Sequence, residues 1–298
     1  MRVGVFYAYF PYEDTVDWPT VLRRAKQDGA DHVELSSMRL VRQSGQVRRE
    51  TVRTAKELGL TYTFCTSLPG DGDVSSDDPA ARARGVDAIR ANIELVAEMG
   101  GGVVGGMLHG STPKPGIPVD NATRQRRVEN SARAVQGMAE TARACGVRIG
   151  LEMCNRYENT MLNTVDQGLE FLTLVDSPSV GLHLDTYHMN IEEDDLAAAI
   201  LKAGDKIVNV HACDNNRKLP GMGHINWREA LLALHGAGYQ GALAMECFSK
   251  PFGVWTNDHR LWRDYVKDGI DEDLRRSVSY LKELLRSLKL GDGQQDKL

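Results

Sequence analysis

The feature that most constrains the fold is a regular alternation of short β-prone runs with longer amphipathic stretches along the chain. The stretches between the runs have the period of an α-helix, and most of them end in glycine, as helix C-termini often do. The eight runs begin at Arg2, His32, Thr61, Val103, Val147, Val180, Lys206 and Ala242. Such an alternation predicts a parallel sheet with crossover helices, and eight repeats predict closure into a (β/α)8 barrel.

The length of 298 residues fits this fold as one domain, because α/β barrels commonly use roughly 250 residues. The alternative doubly wound sheet usually binds through a glycine-rich first turn, and no G-x-G-x-x-G follows the first run. We therefore predict a single TIM-barrel domain of the α/β class over residues 1–290 and a polar tail over 291–298. Two long connections, 68–79 and 109–121, are candidate lids over the barrel mouth.

Charge and cysteine content exclude several classes of protein. The net charge of −5 provides no basic field for nucleic acid or an anionic membrane surface. No run approaches the roughly 18 apolar residues of a membrane helix, and Pro11 interrupts the apolar N-terminus, which reads as a strand and not as a signal peptide. The five scattered cysteines lack C-x-x-C spacing and fit a reducing compartment. We expect a cytoplasmic protein that binds neither nucleic acid nor membrane.

Four side chains that can bind a metal fall at the C-terminal ends of the last four predicted strands. They are Glu152, Asp185, His211 and Glu246, separated by 33, 26 and 35 residues, about one βα unit each. The period of two along a strand places each of them on the face that carries small or polar residues, such as His183 and Asn209. Aliphatic residues such as Val208 and Val210 are predicted to face the outer helices. Because barrel enzymes work at the C-terminal ends of their strands, we expect the four side chains to meet at the mouth.

Three carboxylates that share a mouth with an imidazole repel one another unless a cation lies between them. Oxygen-rich ligands favour a divalent ion, Mn²⁺ in the first place and otherwise Co²⁺ or Mg²⁺. The sequence therefore predicts one divalent metal ion at these four residues and no organic cofactor. His183 and Asn209, one inward position below the ligands, are expected to orient them, and Cys154 and Cys213 are expected to be inert thiols.

Four stretches around these residues are distinctive in combination. They are LEMCNRYEN from Leu151, LDTYHMNIEED from Leu184, VHACDNNRKLPGMG from Val210 and AMECF from Ala244. Together they resemble the ketose 3-epimerases, the D-tagatose and D-allulose (D-psicose) 3-epimerase family of xylose isomerase-like barrels. The similarity starts with GVFYAYF near the N-terminus and runs over nearly the whole chain.

The resemblance implies roles for further residues. Glu158, His188 and Arg217 match the family's contacts to the O1 and O2 end of a ketose, and Tyr7 takes the place of an aromatic residue at the pocket wall. The binding partner it implies is a small-molecule ketose. The family forms dimers and tetramers, so the resemblance also implies a homodimer or a homotetramer.

The chemistry of epimerisation explains why such residues are needed. Inversion at C3, next to the C2 carbonyl, requires a base that removes a proton from one face and an acid that returns one to the other. The resemblance assigns these roles to Glu152 and Glu246, with the cation stabilising a cis-enediolate. We see no glycine-rich loop that would cradle a phosphate, which favours a free ketohexose (D-tagatose or D-fructose/D-allulose) or ketopentose as substrate.

One departure from the family leaves the preferred sugar open. After VVGGMLH the chain reads GSTPKPGIP, where many members carry a bulky aromatic residue that packs on the sugar. Three other functions remain on the same barrel: an inosose dehydratase-type lyase, a phosphodiesterase similar to the apurinic endonucleases, and a non-catalytic sugar-binding protein. Those phosphodiesterases need a histidine-rich three-metal set and a basic surface, whereas this chain has eight His and a net charge of −5.

Overall fold

A computed structural model of the chain describes residues 1–11, 15–111, 119–249 and 261–290. Eight parallel strands form a closed barrel in which each strand pairs with the next one in sequence and the last pairs with the first. The strands are β1 (Arg2–Phe6), β2 (His32–Ser36), β3 (Thr61–Cys65), β4 (Val103–Gly106), β5 (Arg148–Glu152), β6 (Val180–Asp185), β7 (Ile207–His211) and β8 (Ala242–Met245). The predicted TIM barrel is confirmed.

Helices connect the strands and cover the outside of the barrel. In the described ranges they are α1 (Trp18–Gln27), α2 (Ser37–Val41), α3 (Gly45–Glu57), α4 (Pro79–Glu98), α5 (Asn121–Cys145), α6 (Val165–Val175), α7 (Thr186–Glu192), α8 (Leu196–Ala203), α9 (Trp227–Gly236) and α10 (Ile270–Ser287). Within the part of the chain that the structure describes, no helix is both long enough and apolar enough to cross a membrane.

Local sequence signals set where these helices begin and end. Asp120, for example, caps α5 by accepting a hydrogen bond from the Thr123 backbone N–H at 2.7 Å, and Gly146 ends the same helix with a φ of 68°. The first strand is shorter than the predicted run, because Tyr7–Tyr9 form a 3₁₀ turn. An apolar aromatic run is buried in either conformation, so its composition alone does not locate the end of the strand.

The aliphatic faces of the strands point outward as predicted. Leu151, Leu182, Leu184 and Val210 are buried in the layer between barrel and helices. In α6, Gly168 lies so close to the sheet that a Cβ there would be 2.9 Å from Cδ2 of Leu182. This tight outer layer holds the strand ends, and thus the mouth, in a fixed arrangement.

The inward face of β7 differs from the prediction. A bulge leaves Val208 without a partner on β6, and Asn209 follows in register. Val208 then points into the barrel, where a Cβ on Gly150 or Gly181 would lie 3.0 Å or 2.5 Å from one of its methyl groups. The prediction that Val208 faces the outer helices is therefore wrong, because the extra residue of the bulge shifts the alternation.

The two long connections predicted from the sequence lie at the mouth, after β3 and β4. Asp73 in the first connection accepts hydrogen bonds from the Ser75 backbone N–H at 2.9 Å and from the Ser111 hydroxyl at 2.7 Å. It thereby ties the start of the second connection to the first. Most of the GSTPKPGIP segment (112–118) and the predicted tail (291–298) lie outside the described residues.

Two histidines outside the cluster of predicted metal ligands are buried within the fold. His32 lies between the hydroxyls of Thr61 and Thr63, each 2.9 Å from a ring nitrogen, and His109 packs edge-on against Phe171. Burial lowers the pKa of each of the two imidazoles to about 4. Both are therefore neutral in the folded protein near neutral pH.

The space beside Val208 gives a first testable prediction. In a Gly181→Ala variant the added methyl would meet Val208 at 2.5 Å and the Lys206 carbonyl oxygen at 2.4 Å, so we expect a loss of about 1–3 kcal/mol of folding stability. Denaturant unfolding measures it. Gly102→Ala is the matched control, because a Cβ there meets nothing within 4 Å. Equal unfolding midpoints for the two variants would contradict the inward position of Val208.

The buried histidines give a prediction on pH. The folded-state pKa of His109, about 4, is below the ordinary value of 6.5. The stability of the fold that depends on a neutral His109 is therefore complete above pH 6.5 and is lost as the pH falls toward 4. As the pH falls through that window, the His109→Gln variant should lose up to about 1.4 kcal/mol less folding stability per pH unit than the unmodified protein. Urea unfolding between pH 7 and pH 4 tests this, with the exposed His235→Gln as control. Parallel stability curves for His109→Gln and the unmodified protein would refute it.

Candidate active site

The four side chains predicted as metal ligands meet at the mouth of the barrel. They are Glu152, Asp185 and His211, which end β5, β6 and β7, and Glu246, which follows β8. Their candidate ligand atoms all lie within 4.8 Å of one another. His211 lies at the centre, with Nδ1 3.1 Å from Oε1 of Glu152 and 3.2 Å from Oε2 of Glu246.

The charges in this cluster are only partly balanced by the protein. Burial raises the pKa of Glu152 to about 7, with further contributions from Glu246 and Asp185 against the opposing effect of His211. Burial also raises the pKa of Asp185. Although burial alone lowers the pKa of His211, the carboxylates around it raise that pKa well above its ordinary value. A cluster of this kind favours an added positive charge.

The donor set fits one divalent cation. Three carboxylates and one imidazole, each from a different strand end and all within 4.8 Å, offer hard oxygen ligands and one nitrogen ligand around a single point. No thiol belongs to this set, and all five cysteines are free. The thiols of Cys154 and Cys247 are buried beside the site, and burial raises the pKa of each well above its ordinary value, which makes them unreactive.

A fourth buried carboxylate, Glu34, supports the cluster from below, and the sequence prediction missed it. Its carboxylate contacts Nε2 of His211, and it accepts hydrogen bonds from Nδ2 of Asn209 at 2.7 Å and from Thr63 Oγ1 at 3.1 Å. Burial alone raises the pKa of Glu34, but His211, His183 and Asn209 together outweigh burial and lower the pKa to about 2. An ionised Glu34 accepts the Nε2 hydrogen and so leaves Nδ1 of His211 facing the other carboxylates.

The signal for Glu34 was present in the sequence. His32, Glu34 and Ser36 alternate along β2, and Glu34 lies at the middle of that strand on its inward face. The expected orienting residues also lie where predicted, because Asn209 contacts both Glu34 and Nε2 of His183, the latter at 3.2 Å. The His183 ring packs edge-on against the His211 ring, with centroids 3.9 Å apart.

Arg217 extends the site above the cluster of predicted metal ligands. Its Nη1 donates to Oδ2 of Asp185 at 2.5 Å, its Nη2 lies 3.2 Å from Oε2 of Glu246, and its guanidinium stacks over the Tyr187 ring at 4.3 Å. The backbone of Arg217 has a φ of 62°, in the left-handed region. An exposed turn would not place this side chain in a buried ion pair, so the segment is part of the site.

Asp214 holds the loop that carries Arg217. One of its carboxylate oxygens accepts hydrogen bonds from the backbone N–H groups of Asn215 and Ile225 at 3.1 and 3.0 Å, and the other accepts from Gly221 at 3.0 Å. A Cβ on Gly223 would lie 2.3 Å from this carboxylate, so the loop passes too close for a side chain there. The loop is therefore built around one buried acid.

His188 and Glu158, the other predicted substrate contacts, lie on the same side of the cluster as Arg217. Nε2 of His188 is 3.6 Å from Oδ2 of Asp185 and 3.4 Å from Nη2 of Arg217. Burial and the charge of Arg217 lower the pKa of His188 to about 3, so its imidazole is neutral. Glu158 accepts a hydrogen bond from Nδ2 of Asn155 at 3.0 Å.

Tyr7 is placed differently from its neighbour Phe6. The Tyr7 ring packs against Phe6 and Trp18, with centroids 4.7 and 5.2 Å away, and its hydroxyl accepts from Nε of Arg39 at 3.0 Å. The Phe6 ring lies beside His211, with centroids 6.0 Å apart. Phe6 therefore lies at the edge of the cluster, and the sequence analysis did not single it out. The role assigned to Tyr7 stays a prediction.

Comparisons with known proteins agree with this geometry. The family described as xylose isomerase-like TIM barrel matches residues 22–284. The D-psicose 3-epimerase of Agrobacterium fabrum is 31% identical over 290 residues, which cover 96% of this chain and 99% of that protein. This chain belongs to the ketose 3-epimerase family of xylose isomerase-like barrels. The prediction of a carbohydrate epimerase is thereby confirmed.

Two further relatives of this epimerase support the assignment. The L-ribulose 3-epimerase of Mesorhizobium japonicum is 39% identical over 217 residues, or 70% of this chain and 71% of that protein. A crystal structure of D-psicose 3-epimerase with D-tagatose, from Clostridium cellulolyticum, has a TM-score of 0.90 and 30% identity, and the match covers 96% of this chain and 99% of that one. The whole barrel of the epimerase is therefore shared with the structure from Clostridium cellulolyticum.

Glu34 gives a prediction on metal affinity. In Glu34→Gln the side chain keeps its shape but loses the charge that holds the Nε2 hydrogen of His211, so we expect Mn²⁺ to bind about 10- to 100-fold more weakly. Isothermal titration calorimetry, with Mn²⁺ added to protein from which metal has been removed by a chelator, measures the change. Glu170→Gln, an exposed carboxylate on α6, is the control. An unchanged dissociation constant in Glu34→Gln would show that Glu34 does not orient His211.

Proposed function

We propose that this epimerase inverts C3 of a free ketose, with Glu152 and Glu246 exchanging the C3 proton on opposite faces of the sugar. The observation that carries the proposal is that both carboxylates reach the same point of the mouth, with one oxygen of each 3.1 or 3.2 Å from Nδ1 of His211. They come from β5 and from the end of β8, which are separated in the barrel by β6 and β7. Two acids on well-separated strands can reach two faces of one carbon.

The acid–base step follows from the properties of the two glutamates. One carboxylate takes the C3 proton, the electron pair of the broken C–H bond enters the C2–C3 bond, and the C2 carbonyl becomes an enediolate. The other carboxyl group returns a proton to C3 from the opposite face and the carbonyl re-forms. The pKa of Glu152, raised to about 7 by burial, suits a group that both gives and takes a proton near neutral pH.

We propose that Glu152, Asp185, His211 and Glu246 hold one divalent ion, Mn²⁺ in the first place and otherwise Co²⁺ or Mg²⁺. When bound, such an ion supplies Lewis acidity that stabilises negative charge on the sugar oxygens. The protein adds its own donors: Arg217 carries a positive charge at the same place, and His188 lies 3.4 Å from it. Both can donate hydrogen bonds to the oxygens of the enediolate.

The relatives suggest the class of sugar. Proteins 31% and 39% identical to this one are named for D-psicose and L-ribulose, and the structural neighbour is described with D-tagatose. We propose a free ketohexose (D-tagatose or D-fructose/D-allulose) or a ketopentose as substrate, with Glu158, His188 and Arg217 at its O1 and O2 end and Tyr7 at the pocket wall. We propose a cytoplasmic location from the scattered cysteines, and a homodimeric or homotetrameric state from the family resemblance.

Substitution of the two glutamates tests the mechanism. In Glu152→Gln and Glu246→Gln we expect the rate of C3 proton exchange to fall by roughly 10²–10⁴-fold, because an amide cannot accept the proton. The measurement is deuterium incorporation into D-fructose or L-ribulose in D₂O, with the exposed Glu170→Gln as control. Chelation should stop turnover, and Mn²⁺ should restore it.

Other outcomes of the same experiment would contradict the proposal. Deuterium at C1 or C2 with none at C3 would indicate an aldose–ketose isomerase. A product lighter by one water would indicate the lyase alternative. Full activity in either glutamate variant would remove that residue from the mechanism.

A further inference from the structure

Asn155 connects two of the residues at the proposed O1 and O2 end of the sugar. It lies in the loop after β5 and is buried, at 1% exposure. Its Nδ2 donates to Oε1 of Glu158 at 3.0 Å and lies 2.8 Å from Nδ1 of His188, and its Oδ1 accepts from the Tyr157 backbone N–H at 3.0 Å. Since a backbone N–H can only donate, the amide is oriented with its oxygen toward Tyr157 and its nitrogen toward the other two residues.

The same residue determines which nitrogen of His188 carries the hydrogen. The backbone N–H of Asn155 donates to Nδ1 of His188 at 3.3 Å, and the side-chain amide approaches that nitrogen at 2.8 Å. Both groups are donors, so Nδ1 must be an acceptor. A neutral imidazole whose Nδ1 accepts has its hydrogen on Nε2.

The Nε2 side of His188 faces the site. It lies 3.6 Å from Oδ2 of Asp185, which can accept a hydrogen, and 3.4 Å from Nη2 of Arg217. The guanidinium can only donate, so with a hydrogen on Nε2 this longer contact joins two donors, and the shorter 2.8 Å contact of the Asn155 amide with Nδ1 decides the tautomer. A hydrogen on Nε2 is therefore directed to the place where the oxygens of a ketose would approach. In the other tautomer, Nε2 would present a lone pair there and would repel an oxygen that gains negative charge.

We propose that Asn155 is a positioning residue that fixes His188 as a neutral Nε2–H donor and holds Glu158 beside it. The inference rests on the proposed function for the use of that donor, but the tautomer itself is a property of the protein without substrate. The side-chain amide of Asn155 makes both contacts, one to His188 and one to Glu158.

The tautomer can be observed directly. In protein labelled with ¹⁵N-histidine and loaded with diamagnetic Mg²⁺, the ring nitrogens of His188 should show an unprotonated Nδ1 and a protonated Nε2, with assignment by loss of the signals in His188→Gln. A hydrogen on Nδ1 in the unsubstituted protein would overturn the proposal. This measurement does not depend on which sugar the enzyme accepts.

Asn155→Asp tests the cause. The carboxylate has the same shape but can only accept, so we expect the hydrogen of His188 to move toward Nδ1 and kcat to fall about 10²-fold, as for the loss of one donor to a developing oxyanion, with a smaller change in KM. Asn163→Asp is the matched control, because Asn163 lies in the same loop and donates to the carbonyl oxygens of Cys154 and Asn159, without contact to His188. The control should keep the tautomer.

The outcomes separate this proposal from the proposed function. An unchanged tautomer and an unchanged kcat in Asn155→Asp would refute the role of Asn155 while leaving C3 epimerisation intact. The same loss of the Nε2 hydrogen in Asn163→Asp would show that general damage to the loop is responsible, and would also refute it. The absence of C3 exchange in the unsubstituted protein would contradict the function without altering the measured tautomer.

Discussion

The site depends on negative charge that the barrel holds largely out of water. Glu152, Asp185 and Glu246 meet at the mouth, and Glu34 lies against His211 below them. Moving one carboxylate out of water costs several kcal/mol. A cluster of buried carboxylates is therefore stable only where positive groups lie among them. His211 and Arg217 supply part of that charge, yet burial still raises the pKa of Glu152 to about 7. This remaining imbalance is the physical reason for proposing a divalent cation.

The barrel imposes this arrangement through the ends of its strands. Parallel neighbours deliver residues that are far apart in sequence to one level of the mouth, and the packed outer layer keeps them there. Asp185 shows how closely fold and site are joined, because one of its oxygens caps α7 by accepting from the Tyr187 N–H at 2.8 Å and the other pairs with Arg217. The same carboxylate thus begins a helix and contributes to the site.

The strands and four of the clustered side chains could be predicted because the period of two is a local property of the chain. Glu34 could have been found by the same rule, since it lies on the inward face of β2, at the middle of that strand. Val208 could not, because its bulge depends on space left by glycines in two other strands. The hydrogen bond of Asn155 to His188 also escapes prediction, since it joins the loop after β5 to helix α7. In FYAY, three aromatic residues lie where the strand ends, so alternation no longer indicates which of them faces the site.

The reaction and the choice of sugar therefore have different structural origins in this protein. The proposed acid–base pair lies at the end of β5 and just after β8, two strands that each pair with a neighbour on both sides. The groups proposed to contact the sugar lie mostly beyond the strands: Arg217 on a loop folded around Asp214, and Glu158 on a loop held by Asn155. Loops tolerate change better than barrel strands do. A change of loop can alter which ketose fits while the strand ends still exchange a proton at C3, which is consistent with relatives named for both a hexose and a pentose on one barrel.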